Sequence, residues 1–289
     1  MKLWKNKFVG VDISAAKVKV AQLKMNKSTP IIQQLAQKVL NTPLSSMGVD
    51  ELAAALKELL TGINYKNGII TASLPAEELI LKLVPVPVMD KEELETAMCF
   101  EGEAMVSGET DQWVIRHIPL FNGAEGAVVL LVAAPRQLTL LIYEAFKILG
   151  IKLHGIDIQP FALWRVSKLW RDTTSCTAML NVDDKSGQLI VVNNGYIKFA
   201  RILAADTDDI ARDLGRSLEL YNFQSPFPVQ QLFITGELTQ KHSNLNIDLD
   251  LPVKKGIITG DFFQQESEKQ HQLEYSTAMG LALGWHLNV

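Results

Sequence analysis

Phe8-Val9-Gly10-Val11-Asp12-Ile13-Ser14-Ala15-Ala16-Lys17-Val18-Lys19-Val20 reads as an apolar strand ending on a carboxylate, a tight turn of small residues, and a second strand. The same reading returns past the middle of the chain, in Thr177-Ala178-Met179-Leu180-Asn181-Val182-Asp183-Asp184-Lys185-Ser186-Gly187-Gln188-Leu189-Ile190-Val191-Val192. A hairpin whose turn follows an aspartate suits a phosphate chain. The N–H groups of the turn point at the phosphates, and the carboxylate holds a metal ion or its waters. Two such hairpins predict two similar lobes facing one cleft.

Working outward, Val18 and Val20 alternate with Lys17 and Lys19, which predicts one apolar and one solvated face. Ile31–Val39 is a third strand, 50–60 a helix with a Leu52, Leu56 and Leu59 stripe, and Ile69–Leu74 a strand. The texture then changes. Leu79–Val88 is extended, and Asp90 with Glu93 forms a capping box for a helix to about Val106. Two strands follow, around 112–120 and 127–134, then a helix over 136–149 and a strand over 151–157. This mixed unit reads as an inserted α+β subdomain spanning 77–155, between a first lobe at 1–76 and a second at 156–289 that ends in a closing helix. Pro160 opens another helix, and Asp172-Thr173-Thr174-Ser175 is a polar joint. The second half repeats the meander at 177–183, 187–193 and 196–203. A long helix with Ile210, Leu214, Leu218 and Tyr221 inward follows, then a strand ending at Gly236. The small-residue stretch Ala278-Met279-Gly280-Leu281-Ala282 permits a close helix crossing.

Bulk properties narrow the function. A net charge of −4 without a long basic run excludes the concentrated cationic surface that non-specific nucleic-acid binding needs. The longest apolar run, Ala127–Ala134, is far short of the ~20 residues of a spanning helix. No signal peptide follows the basic start around Trp4, and the two cysteines, Cys99 and Cys176, read as buried free thiols. These features predict a soluble cytoplasmic protein. The histidines have no metal spacing, and no serine, histidine and acid constellation suggests a hydrolase. The glutamates at 92, 93, 95, 101 and 103 read as a solvated helix face.

Six stretches, taken in order and spacing, carry a family resemblance. They are Val9-Gly10-Val11-Asp12 with Val18-Lys19, Asp90–Glu101, Val129–Arg136, Gly155-Ile156-Asp157-Ile158-Gln159-Pro160-Phe161-Ala162-Leu163, Leu232-Phe233-Ile234-Thr235-Gly236, and Ala278–Ala282. The chain resembles the type IV pilus assembly protein PilM family, with its competence and DNA-uptake relatives, inside the actin-like (ribonuclease H-like) ATPase fold. The resemblance implies an α/β two-lobe fold whose inserted subdomain is similar to that of FtsA. It implies ATP with Mg²⁺ as cofactor. Asp12, Ser14, Ala15 and Lys19 would lie in the first phosphate loop, Asp183, Lys185 and Gly187 in the second, and Gly236 at the nucleoside, with Asp12 and Asp183 on the metal. It also implies a groove between the first lobe and the subdomain for the cytoplasmic N-terminal tail of a PilN-like inner-membrane protein. Met98, Phe100, Glu101 and Met105 are the expected partner-binding residues. The protein would then be a scaffold or ring component at the inner face of the inner membrane, near the motor ATPases.

The sequence departs from the family at three turns. Ser14 and Lys185 stand where the phosphate loops usually carry glycine, and Glu237 stands where the nucleoside turn carries its second glycine. A Cβ in a turn that needs positive φ costs about 1–2 kcal/mol. Two readings follow. Asp12, Lys19 and Asp183 remain metal and phosphate ligands, with Lys185 as a substitute cation, or the turns persist only to end strands. Either way the expectation is weak ATP binding at most and a degenerate ATPase without turnover. Gln159 either orients water or caps its helix, and Met98 and Met105 are either adaptable peptide-binding surface or core. The alternatives are a phosphotransferase of the sugar or acetate kinase kind, a filament former, and a GspL-like cytoplasmic domain of type II secretion. The last would continue into a membrane helix, which is not expected here.

Overall fold

Strands β1 (Lys7–Ile13), β2 (Lys17–Asn26) and β3 (Thr29–Val39) form the predicted antiparallel meander, and β4 (Ile69–Leu74) pairs parallel with β1. The second meander is β9 (Cys176–Val182), β10 (Ser186–Asn193) and β11 (Tyr196–Ala204), with β12 (Gln231–Gly236) parallel to β9. With β8 (Gly155–Ile158) and β13 (Val253–Lys255), the two sheets run β3-β2-β1-β4-β8 and β11-β10-β9-β12-β13, the same topology twice. This is a computed structural model, and it describes residues 7–27, 29–123, 126–170, 176–183, 186–204, 207–237 and 250–284. The basic start around Trp4, the joint at 172–175 and Lys185 lie outside the described residues.

The period of two decides where each strand residue goes. On β9, Ala178, Leu180 and Val182 face helix α5 (Thr207–Gln224) with Ile210, Leu214, Leu218 and Tyr221, as the helix periodicity predicts. Met179 and, on β10, Ile190 and Val192 join the other core, which is shared with the first lobe. Both faces are covered, so every residue of β9 and β10 is buried.

A third sheet, in the order β5-β7-β6, is formed by β5 (Ile80–Val86), β6 (Trp113–Gly123) and β7 (Gly126–Pro135). Helix α2 (Lys91–Met105) begins with the predicted capping box, in which Glu93 N–H donates to Asp90 Oδ1 at 2.9 Å and Glu93 accepts from Asp90 N–H. Strand β7 again splits by period. Val129 and Leu131 pack with Met98 under α2, while Leu130, Val132 and Ala134 join the first lobe's core.

Two elements that local pattern placed in the inserted unit sit elsewhere. Helix α3 (Arg136–Ile148) packs on α1 (Val49–Thr61) of the first lobe, and β8 pairs parallel with β4 in the first sheet. The chain leaves the first lobe at β5 and is back on it by α3. Helix α4 (Gln159–Ser167) then crosses towards the second sheet. Beyond β13, α5 is followed by α6 (Glu266–Gln270) and α7 (Ser276–Leu283). Helix α7 lies against β1, β2, β4 and α4. Cys176 is buried as expected, but Cys99 is exposed on α2. No described helix is long and apolar enough to cross a membrane.

Candidate functional site

The two aspartate hairpins face each other across the lobe boundary. Ser14 closes the first turn, because its N–H donates to Lys17 O at 2.9 Å and its Oγ accepts from Lys17 N–H at 3.2 Å. Asp183 N–H closes the second on Ser186 O at 3.0 Å. Each aspartate is then held from several sides. Asp12 Oδ1 accepts from Ser73 Oγ at 2.9 Å and from Gln159 Nε2 at 2.6 Å. Asp183 accepts from Lys19 Nζ at 2.8 Å and from Asn181 Nδ2 at 3.0 Å.

Lys19 is the first surprise. Alternation along β2 predicts a solvated lysine, yet it is 2% exposed. Its face of the strand is covered by the second lobe. Nζ lies 2.8 Å from Asp183 Oδ1 and 3.0 Å from Glu237 Oε1. Lys17, two residues earlier on the same face, pairs with Glu237 Oε2. Gln159 does not cap α4, which begins after Ile158 without a side-chain cap. Its Oε1 accepts from Gln188 Nε2 at 2.7 Å, which links Asp12 to the second sheet. The cavity left among Ser14, Ala15, Ala16, Glu77, Gln159, Asp183 and Ser186 is about 10 Å³, room for about one water.

The remaining expected contacts scatter. Gly187 turns away from the cleft. A Cβ there would meet Ile210 Cδ1 at 3.1 Å, so its bare backbone makes room for α5. Gly236 does form a tight turn, with φ at +98°, and a Cβ would come 2.3 Å from Val182 O. Glu237, which follows it, is the site residue that motif reading missed, and the only signal was an acid in place of a glycine. Among the described residues, no three His, Cys, Asp or Glu side chains come together as a metal-holding group.

Burial raises the Asp12 carboxyl from its ordinary 3.8 to about 6, reinforced by Asp183 and opposed by Lys19, Gln159 and Ser73. Burial and then Asp183 also raise Glu77, against its hydrogen bonds to backbone and Ser186. The folded protein therefore holds the Asp12 proton more tightly than the unfolded chain does. Its contribution to stability falls as pH rises from about 4 to about 6 and stays low above that. Asp12→Asn removes the cost of ionising a buried group. It is expected to raise stability at neutral pH by roughly 1–3 kcal/mol and to flatten the decline between pH 4 and 6. Urea unfolding at several pH values checks this, and a less stable variant at neutral pH would show that the ionised carboxylate is needed.

A larger opening lies on the other side of the first turn. A groove of about 760 Å³ runs between the segment 43–49 with Pro75 and helix α3. Leu44, Met47, Val49, Leu138, Leu140 and Leu141 make it apolar, and Glu77, Glu78 and Glu144 add acid. The expected partner residues lie elsewhere. Met98 is 2% exposed in the subdomain core, and Met105 is partly buried beside it. Phe100 is 69% exposed on α2, and Glu101 pairs with Lys82 at 2.7 Å. None of the four lines the groove.

Residues 10–223 match the family model described as type IV pilus assembly protein PilM. No curated protein matches the sequence. Among solved structures, a PilM–PilN type IV pilus biogenesis complex is similar at TM-score 0.80 and 20% identity, over 96% of this chain and 97% of that one. A Bacteroides thetaiotaomicron protein with an actin-like ATPase fold is similar at TM-score 0.57 and 12% identity, over 93% and 96% of the two chains. The cytoplasmic domain of EpsL, an inner-membrane component of the type II secretion system of Vibrio cholerae, is similar at 0.55 and 13%, over 93% and 94%. Likenesses at these identities speak for the fold, and they establish the actin-like two-lobe architecture that the repeated hairpins predicted. That fold implies a nucleotide between the lobes. The described residues do not fit one, because Lys17 and Lys19 are already paired with carboxylates and the cavity beside the two turns is about 10 Å³.

Proposed function

The chain belongs to the PilM family of type IV pilus assembly proteins, and from that premise we propose that it is a non-enzymatic scaffold holding the cytoplasmic N-terminal tail of a PilN-like inner-membrane protein. The observation that carries this reading is the groove of about 760 Å³ beside α3, lined by apolar side chains together with Glu77, Glu78 and Glu144. An extended tail lays alternate apolar side chains into such a groove. A basic residue in the tail meets Glu78 or Glu144, which favours orientation and on-rate more than affinity. Ordering a flexible tail costs free energy, so the isolated peptide binds modestly. The membrane, by concentrating both partners, raises occupancy in the cell. In this reading the protein works in the cytoplasm against the inner membrane, and its ring-forming and motor-ATPase contacts are further surfaces of the same scaffold. Mg²⁺-ATP, nearest to Asp12, Lys19, Asp183 and Gly236, binds weakly at most, and no turnover is expected.

The test is titration of the protein with a peptide of the cytoplasmic N-terminal tail of a PilN-like membrane protein. Leu140 is 51% exposed, so Leu140→Glu leaves the fold intact while placing a charge in the groove. It is expected to weaken binding about tenfold or more. Phe100→Glu, on the outer face of α2, is the comparison. If Phe100→Glu weakens binding and Leu140→Glu does not, the partner sits on α2, where sequence reading put it.

A further inference from the structure

We infer that the Glu237 side chain takes the place the fold keeps for a nucleotide, and that its ion pairs with Lys17 and Lys19 tie the two lobes together instead. This rests on the fold and on the geometry of the cleft, independently of the tail-binding reading.

The turn after β12 aims this carboxylate. Gly236 must be glycine, since at φ +98° a Cβ would strike the end of β9 at Val182. The tight turn leaves the next residue, Glu237, directed across the cleft and 6% exposed. Its two carboxylate oxygens bind different cations: Oε1 takes Lys19 Nζ at 3.0 Å and Oε2 takes Lys17. Those lysines share a face of β2 because they are two residues apart. Both are first-lobe cations that reach carboxylates of the second lobe, and a phosphate chain in the cleft would compete for them.

Three considerations then exclude the nucleotide. Among the described residues the charge is already balanced, with two lysines facing Glu237 and Asp183, and Asp12 and Glu77 adding further acid, so these residues do not attract a polyanion. The cavity left beside the two turns, among Ser14, Ala15, Ala16, Glu77, Gln159, Asp183 and Ser186, is about 10 Å³, whereas ligand sites are usually roughly 300 Å³ or more. A nucleotide would also have to separate buried ion pairs, leaving carboxylates without partners in a medium of low dielectric.

Calorimetry and thermal unfolding with Mg²⁺-ATP test this. The wild-type protein is expected to show no heat and no rise in Tm at about 1 mM nucleotide. Glu237→Gly, which opens the turn and takes this carboxylate away from both lysines, is expected to bind Mg²⁺-ATP at least about tenfold more tightly than wild type and to gain Tm in its presence. Wild-type binding tighter than about 100 µM overturns the inference, as does a folded Glu237→Gly that gains nothing. If that variant does not fold, Glu237→Gln decides, because it keeps the volume and loses the charge. Amide exchange along β2 at Lys17–Val20 and at Gly236 should then be about tenfold faster than in wild type. Unchanged exchange there means the lobes are not tied by these pairs, and the inference falls.

Discussion

Replacing Lys19 by methionine is expected to lower stability by about 3–5 kcal/mol, the usual cost of breaking a buried ion pair from one side. Methionine conserves most of the volume, so the loss reports charge and not a cavity. Burial pulls the Lys19 ammonium down, but Asp183, Asp12 and Glu237 together outweigh it and hold its proton more firmly than usual. Without the ammonium, Asp183 and Glu237 remain buried, with Asn181 and Lys17 among the described residues to answer them. Urea unfolding at neutral pH measures the effect. The double variant Lys19→Met with Asp183→Asn should recover part of it, because it removes one of the stranded charges as well. A single variant that loses less than about 1 kcal/mol would mean that the cleft is wet enough to solvate the carboxylates.

Gly280→Ala is expected to be the most damaging small substitution, and the opposite of what helix propensity says. Alanine in a helix interior is worth about 1 kcal/mol over glycine. At Gly280, however, a Cβ would come 1.9 Å from Ala162 O, on the neighbouring helix α4. Neither backbone can yield without moving α7, which is wedged between α4 and β1. On its other side Gly10 of β1 has the same problem, since a Cβ there would come 2.0 Å from Ala278 O. Overpacking of this kind costs about 1–3 kcal/mol and more when backbone must shift, so a net loss of at least ~2 kcal/mol is expected. Gly215→Ala is the control. It lies in α5 with open space around it, and it should stabilise by up to about 1 kcal/mol. If both variants stabilise, the crossing of α4 and α7 is looser than its geometry indicates.

The close crossing was legible in Ala278-Met279-Gly280-Leu281-Ala282, because small residues at helical spacing have few other uses. The two meanders and the inward face of α5 were equally legible, since their period of two or 3.6 is written locally. The capping box at Asp90 and Glu93 needs only four consecutive residues. Membership was harder. Helix α3 and strand β8 carry the same local signals as any amphipathic helix and short strand, and nothing within them says which sheet they join. Their partners, α1 and β4, lie far upstream. Met98 and Phe100 show the same limit, because a methionine on α2 is read as surface or core only once β7 is placed beneath it.

The sequence by itself determined two lobes, each opening on an aspartate hairpin, and the loss of three glycines that made a nucleotide site doubtful. Only the tertiary structure decided what fills that site. Lys19 and Asp183 are 164 residues apart in the chain, and no local pattern records that they meet. Charge, burial and free space in a cleft depend on what arrives from the other side. A lysine that alternation assigns to solvent becomes, once the second lobe closes over it, the buried centre of the ion pairs that join the lobes.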